Sequence, residues 1–158
     1  AMLRFIGVCV AIFTAAGTDL SEECKMIGYC APGDAVTTGS CDLAARGIKN
    51  IIHGVGPVWF GGSCGERELL TACYLACLRE AGILGARSVS FPVISAGIYG
   101  YPLREAACVA VNTLKMARTS VERIRIVTPD RKIQARIREQ LAWYTQHPRH
   151  NAWGLPDE

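Results

Sequence analysis

The residues best suited to chemistry lie between Phe91 and Pro102, in the run Phe-Pro-Val-Ile-Ser-Ala-Gly-Ile-Tyr-Gly-Tyr-Pro. An apolar strand ends there, a loop holding Ser95, Gly97 and Gly100 follows, and Pro102 opens a helix at a first-turn position where its missing N–H costs nothing. Such a loop crowds backbone N–H groups beside the positive end of a helix, a geometry that suits phosphate. Glycine removes the side chain that would hold a diphosphate off the backbone. Tyr99 and Tyr101 offer ring faces on which a sugar or base can pack. A glycine-bearing strand-to-helix loop also serves as plain connection, so local physics leaves both readings open for the loop. Tyr99, a large aromatic within it, reads as functional at least as readily as packing.

Other reactive side chains read more plainly. His53 lies inside the β-prone run Ile51 to Val55 and is a candidate base, but a hydrogen-bonded structural histidine is the stronger reading. His147 and His150 are three apart with no Cys or acid at ligand spacing, which speaks against metal. Cys9 is a candidate nucleophile without a histidine at suggestive range, so packing is favoured. The eight cysteines contain no CxxC pair, and Cys24, Cys30, Cys41, Cys64 and Cys73 follow no paired-ligand pattern. Cys73 and Cys77, four apart on one helical face, suit a core. Reduced thiols, a cytoplasmic location, and no metal or cofactor are expected.

These residues need elements to position them. The chain has 158 residues, 50% hydrophobic and 20% charged, with a mean hydropathy of +0.19. This bounds the reading to one globular domain and excludes a disordered, collagen-like or coiled-coil protein. The net charge of +3 is too small to advertise a nucleic-acid binder; eight basic residues against three acids between Arg118 and Arg149 read as a solvated helix face before an anionic partner. Strands are expected at Ala35 to Thr38, Ile51 to Val55, Ser88 to Ile94 and Arg123 to Thr128. Helices are expected over Glu66 to Ala81, from Pro102 to about Met116, and after Asp130, where Ile133, Ile137 and Leu141 recur every four residues and Asp130 is the cap. Strands alternating with helices make an α/β fold. Arg4 and the apolar run Phe5 to Phe13 imitate a signal peptide but are read as part of the fold, and no apolar stretch is long enough to span a bilayer.

Five blocks then fall in register. They are Gly7-Val8-Cys9-Val10-Ala11-Ile12-Phe13-Thr14-Ala15-Ala16-Gly17, Glu22-Glu23-Cys24, Gly33-Asp34-Ala35-Val36-Thr37-Thr38-Gly39, Ile51-Ile52-His53-Gly54-Val55-Gly56-Pro57-Val58-Trp59, and the loop from Ile94 to Pro102. In order and spacing, from about Gly7 to Leu141, they closely resemble a bacterial macrodomain of the O-acetyl-ADP-ribose deacetylase-like branch. The resemblance implies a three-layer α/β/α sandwich with a mixed sheet over residues 1–144, followed by an irregular tail over residues 145–158.

It also implies a site. Gly7, Val8 and Cys9 would close one diphosphate loop. Ser95, Ala96, Gly97, Ile98, Tyr99 and Gly100 would form the second, with Tyr99 against the distal ribose, and Thr128, Pro129 and Asp130 would lie near the adenine. Tyr99 and Gly97 are the residues assigned to catalysis. The implied ligands are ADP-ribose, O-acetyl-ADP-ribose or an ADP-ribosylated protein, and the implied reaction is hydrolysis of an ester at the distal ribose, with loop N–H groups stabilising the oxyanion. The alternatives are an ADP-ribose-binding module without turnover and a self-associating structural remnant. Against the family pattern, no counterpart of the leading strands and Asn-rich motif precedes Ala1. The first loop reads Leu3-Arg4-Phe5-Ile6-Gly7, and Cys9 stands where one hydrolytic branch has Asp. Val8, Val10 and Ile12 would suit a strand, but Ala11, Ala15 and Ala16 favour a helix, and a homodimer is expected to shield the resulting gap in the sheet.

Overall fold

The structure, a computed structural model, describes residues 7–147. In chain order these form α1 (Val8–Ala16), α2 (Asp19–Ile27), β1 (Ala35–Gly39), a 3-10 turn (Cys41–Arg46), β2 (Asn50–Gly54), α3 (Glu66–Ile83), β3 (Ser88–Phe91), α4 (Leu103–Met116), β4 (Arg123–Ile126) and α5 (Arg131–Gln146). The segment from Val8 is a helix, as the alanine pattern suggests. The glutamates of the second block belong to α2, an element that periodicity alone did not mark.

Alternation decides the faces of β3 and β4. They pair in parallel with Val89 opposite Ile124 and Phe91 opposite Ile126. Those four side chains join the main core with Ile133 and Ile137 of α5, while Ser88, Ser90, Arg123 and Arg125 point the other way and are exposed. β1 and β2 pair antiparallel, Val36 opposite His53 and Thr38 opposite Ile51. Here both faces are covered. Ile52 packs with Leu70, Cys73 and Tyr74 of α3, and Ile51 packs on the other side with Ala16 and Leu20 of α1 and α2. Glu23 ties that second layer to the ladder, accepting from Gly39 N at 2.8 Å.

The mixed α/β architecture is present, its described strands forming small sheets. They make two two-stranded ladders, one antiparallel and one parallel. The ladders meet through side chains at the strand ends: a Cβ placed on Gly54 would lie 2.6 Å from Cys77 Sγ and 3.7 Å from Ile94 Cδ1, and one on Gly56 would overlap Ile94 and Ser95. β3 stops at Phe91 because Pro92 has no N–H for a ladder. Pro102 is the cap residue before α4 and not its first helical residue. Asp130 caps α5 as expected, its Oδ1 accepting from Lys132 N at 2.7 Å and Ile133 N at 3.3 Å. α5 runs on through Gln146, two residues into the stretch expected to be tail. His150 and the rest of that tail lie outside the described residues, as do Leu3 to Ile6 of the first loop.

All eight cysteines are free. Cys73 and Cys77 are buried under Gly54, and the hydrogen bond between them together with burial pushes the Cys73 thiol well above its ordinary range. Cys9 and Cys64 are exposed. No described helix is long and apolar enough to cross a membrane. Thiol titration without reductant should therefore show fast reaction at Cys9 and Cys64, none at Cys73 and Cys77 until the chain is denatured, and eight thiols in all once it is. A denatured count near zero would contradict the free cysteines.

Candidate phosphate-binding site

Because β3 and β4 are parallel, the chain leaves both at the same end of the molecule, and β2 delivers Val55 to Trp59 there too, against Ile94 and Ser95. Carboxyl ends of strands are where an α/β sheet leaves room for a ligand. The loop after β3 is braced from behind. Ile94 N donates to the hydroxyl of the fully buried Tyr74 at 3.0 Å, Tyr101 N donates to Ser95 O at 3.0 Å, and Gly100 N donates to Gly97 O at 3.0 Å.

Between those braces the loop presents donors. The N–H groups of Gly97, Ile98 and Tyr99 have no acceptor among the described residues, and all three residues are exposed. A Cβ on Gly97 would meet nothing within 4 Å, so the space in front of the loop is open. Ser95 adopts a left-handed φ of 63°, costly for a residue with a side chain, and its buried hydroxyl has no hydrogen-bond partner. A strained backbone, an unsatisfied hydroxyl and three unused N–H groups within five residues form an anion-receptive concavity.

The two tyrosines divide. Tyr99 is 40% exposed and keeps a ring face available. Tyr101 is only 4% exposed and packs on Trp59 with ring centroids 4.6 Å apart, so its face is not open to a ligand. Burial pushes the Tyr101 hydroxyl above its ordinary pKa. Trp59 N donates to Tyr99 O at 2.9 Å, joining the loop after β2 to the loop after β3.

The loop after β2 depends on Glu66, which sequence reasoning passed over. Its carboxylate is 2% exposed at the start of α3; Oε1 accepts from Phe60 N at 2.9 Å and Gly62 N at 3.0 Å, and Oε2 from Cys64 N at 2.7 Å. Burial acts to raise its pKa, and the hydrogen bonds from its own backbone N–H and from Phe60, Gly62 and Cys64 outweigh it, holding the carboxyl below the usual range. The sequence signal was available in the three glycines of Phe60 to Gly65 directly ahead of an acid in a helix's first turn.

The remaining expected residues lie on other elements. Gly7, Val8 and Cys9 are exposed at the N-terminus of α1, which packs on the 3-10 turn and α2, and no described hydrogen bond joins them to Ser95 to Gly100. Thr128, Pro129 and Asp130 follow β4 at the same end, but their polar atoms are engaged. Thr128 Oγ1 accepts from Asp130 N at 3.2 Å, Thr128 O accepts from Gln134 Nε2 at 2.8 Å, and the Asp130 carboxylate is the α5 cap. His53 is structural. It lies 2.9 Å from Thr38 Oγ1 and 3.9 Å from Cys24 Sγ, edge-on to Phe13, with burial lowering its pKa against the opposing influence of Glu23. His147 stacks on Trp143. Among the described residues no group of three or more His, Cys, Asp or Glu could hold a metal ion.

Comparison with known proteins places this geometry in context. The family model described as Macro domain matches residues 2–110. A Macro domain-containing protein of Mesorhizobium japonicum is 50% identical over 110 residues, covering 70% of this chain and 61% of that protein. A protein of an Enterobacter species named O-acetyl-ADP-ribose deacetylase is 49% identical over 112 residues, covering 68% and 61%. The chain thus spans about 61% of the length of these curated relatives. Among solved structures, an Oceanobacillus iheyensis macrodomain with ADP superposes with TM-score 0.82 at 29% identity, over 89% of this chain and 77% of that one. A mutant of the same macrodomain with ADPR gives TM-score 0.82 at 31% identity, over 89% and 79%.

The lowered carboxyl of Glu66 carries a linkage consequence. A group whose folded pKa is depressed stabilises the fold above its unfolded value and loses that contribution as pH falls through the folded one. The stability gap between the unsubstituted protein and Glu66→Gln should be full above pH 4.5, the ordinary value for this group, and close progressively below it. Urea unfolding across that range measures it. A gap that stays constant to low pH would remove the carboxylate from this role.

Proposed function

The chain belongs to the Macro domain family, and from that premise we propose that it binds ADP-ribose with the diphosphate seated on Ser95 to Gly100. The observation that carries the proposal is the set of unused N–H groups on Gly97, Ile98 and Tyr99 in front of open space. Three such donors can accept the charge of a diphosphate as charge-assisted hydrogen bonds, stronger than neutral ones. Tyr99, exposed beside them, would pack on the distal ribose. Gly7, Val8 and Cys9 complete the proposed diphosphate contacts, and Thr128, Pro129 and Asp130 the adenine side.

The finer proposal is hydrolysis of an ester on that ribose, the activity that the names of several relatives carry. Gly97 and Tyr99 are the residues proposed to act, with a loop N–H stabilising the oxyanion and water held against the ligand's own phosphate. Binding without turnover is the second reading. It is favoured by one specific observation: among the described residues, no carboxylate or imidazole is hydrogen-bonded into the Ser95 to Gly100 loop to serve as base. O-acetyl-ADP-ribose and ADP-ribosylated proteins are the proposed substrates, and the eight free thiols accord with a reducing, cytoplasmic setting.

Substituting Gly97→Glu is accommodated by the fold, since a Cβ there meets nothing, yet it projects a negative side chain over the donors. Calorimetric titration should show ADP-ribose affinity reduced at least about a hundredfold, with the unfolding transition unchanged. Unaltered affinity in the folded variant would sink the diphosphate assignment. Turnover of O-acetyl-ADP-ribose by the unsubstituted protein separates the two readings.

Among the described residues β2 and β3 each pair on one edge only, and an unpaired edge invites another strand. A homodimer joined there is the proposed assembly. Light scattering at micromolar concentration should report a dimer, and a stable monomer excludes it.

A further inference from the structure

We infer that Glu66 is a positioning residue for the proposed ADP-ribose site, setting the shape of the loop after β3 without touching the ligand. The inference rests on the ADP-ribose reading and concerns how the donor loop is held.

The argument follows a chain of contacts. The Glu66 carboxylate gathers the N–H groups of Phe60, Gly62 and Cys64, three donors in an exposed loop containing Gly61, Gly62 and Gly65. A loop this rich in glycine has high conformational entropy when free, so a single three-fold acceptor determines its path. Closing the loop sets Gly62 on the indole of Trp59: a Cβ at Gly62, whose φ is 88°, would lie 2.7 Å from the ring edge. Trp59, clamped between Gly62 and the Tyr101 ring, then presents its N–H to Tyr99 O at 2.9 Å and backs Tyr101 at 4.6 Å. Tyr99 and Tyr101 bracket Gly100 and close the turn whose free donors are Gly97, Ile98 and Tyr99. Glu66 therefore reaches the donor loop through Trp59, with no polar contact to that loop itself.

The alternative is a carboxylate that only stabilises the fold. Three full-length variants separate the two: Glu66→Ala, Glu66→Gln and Gly62→Ala. Each is followed by calorimetric titration with ADP-ribose and by amide hydrogen exchange. Glu66→Ala should weaken ADP-ribose about tenfold, the scale of one lost hydrogen bond to a charged group. It should also lose protection at Trp59, Phe60, Gly62 and Cys64 while Leu70 to Ala81 of α3 stay protected. Glu66→Gln keeps an amide oxygen for Phe60 and Gly62 but turns an N–H toward Cys64, so its affinity should fall between the two. A variant that loses loop protection, keeps α3 protection and binds ADP-ribose as tightly as the unsubstituted chain overturns the inference. Should Glu66→Ala fail to fold, Gly62→Ala decides, because it leaves the carboxylate in place while its Cβ, strained at a φ of 88°, pushes on the Trp59 ring; full affinity there, with protection lost at Trp59, overturns the inference equally. Absence of ADP-ribose binding by the unsubstituted chain is a different result, overturning the ligand reading and this role with it.

Discussion

A loop that spends its own N–H groups on a ligand cannot use them to hold itself in place. That constraint organises the end of this molecule where the strands finish. The N–H groups of Gly97, Ile98 and Tyr99 have no acceptor among the described residues, so the loop is fixed by the residues on either side and by neighbours behind it. Tyr74 from α3 fixes Ile94, the Ser95 carbonyl fixes Tyr101, and Trp59 fixes Tyr99. α3 supplies two of the three braces, directly through Tyr74 and indirectly through Glu66, which is why its buried face of Leu70, Cys73, Tyr74, Cys77 and Ala81 matters to the site as well as to the core. Pre-organisation of donors against empty space is costly, and the left-handed Ser95 with its unsatisfied hydroxyl shows where that cost is stored.

Much of this was legible in the sequence because it depends on local patterns. The alternation of Val89 and Phe91, the four-residue recurrence of Ile133 and Ile137, and the Asp130 cap each follow from chain geometry within a few residues, and the structure places them accordingly, while Leu141, next in that recurrence, is exposed. The family resemblance supplied the order of the blocks. What local reasoning missed depends on contacts far apart in sequence. Glu66 binds a loop that no periodicity marks. Tyr101 looked like a ligand face until Trp59, 42 positions earlier, was seen to cover it. Thr128 also helps close the first turn of α5, its hydroxyl accepting from Asp130 N, a role its position in the sequence does not reveal. The division into two ladders was equally out of reach, since strand pairing is decided by which edges meet, and single-strand patterns say nothing about that.

The same distance argument separates binding from turnover. Anion recognition at the Ser95 to Gly100 loop needs only backbone donors and a clear approach, and both are local to that loop. Ester hydrolysis needs one thing more, a water activated and aimed at the carbonyl carbon. With no described carboxylate or imidazole bonded into the loop, that water would have to be held by the ligand's own phosphate, so its aim would depend on how rigidly the diphosphate is seated. Rigid seating raises the rate by fixing the reacting atoms near attack distance, and a loose one forfeits most of that effect while losing little affinity. Turnover should then be more sensitive than affinity to the braces behind the loop. This is why Trp59, Tyr74 and Glu66, none of which faces the proposed ligand, bear on what the site can do to it.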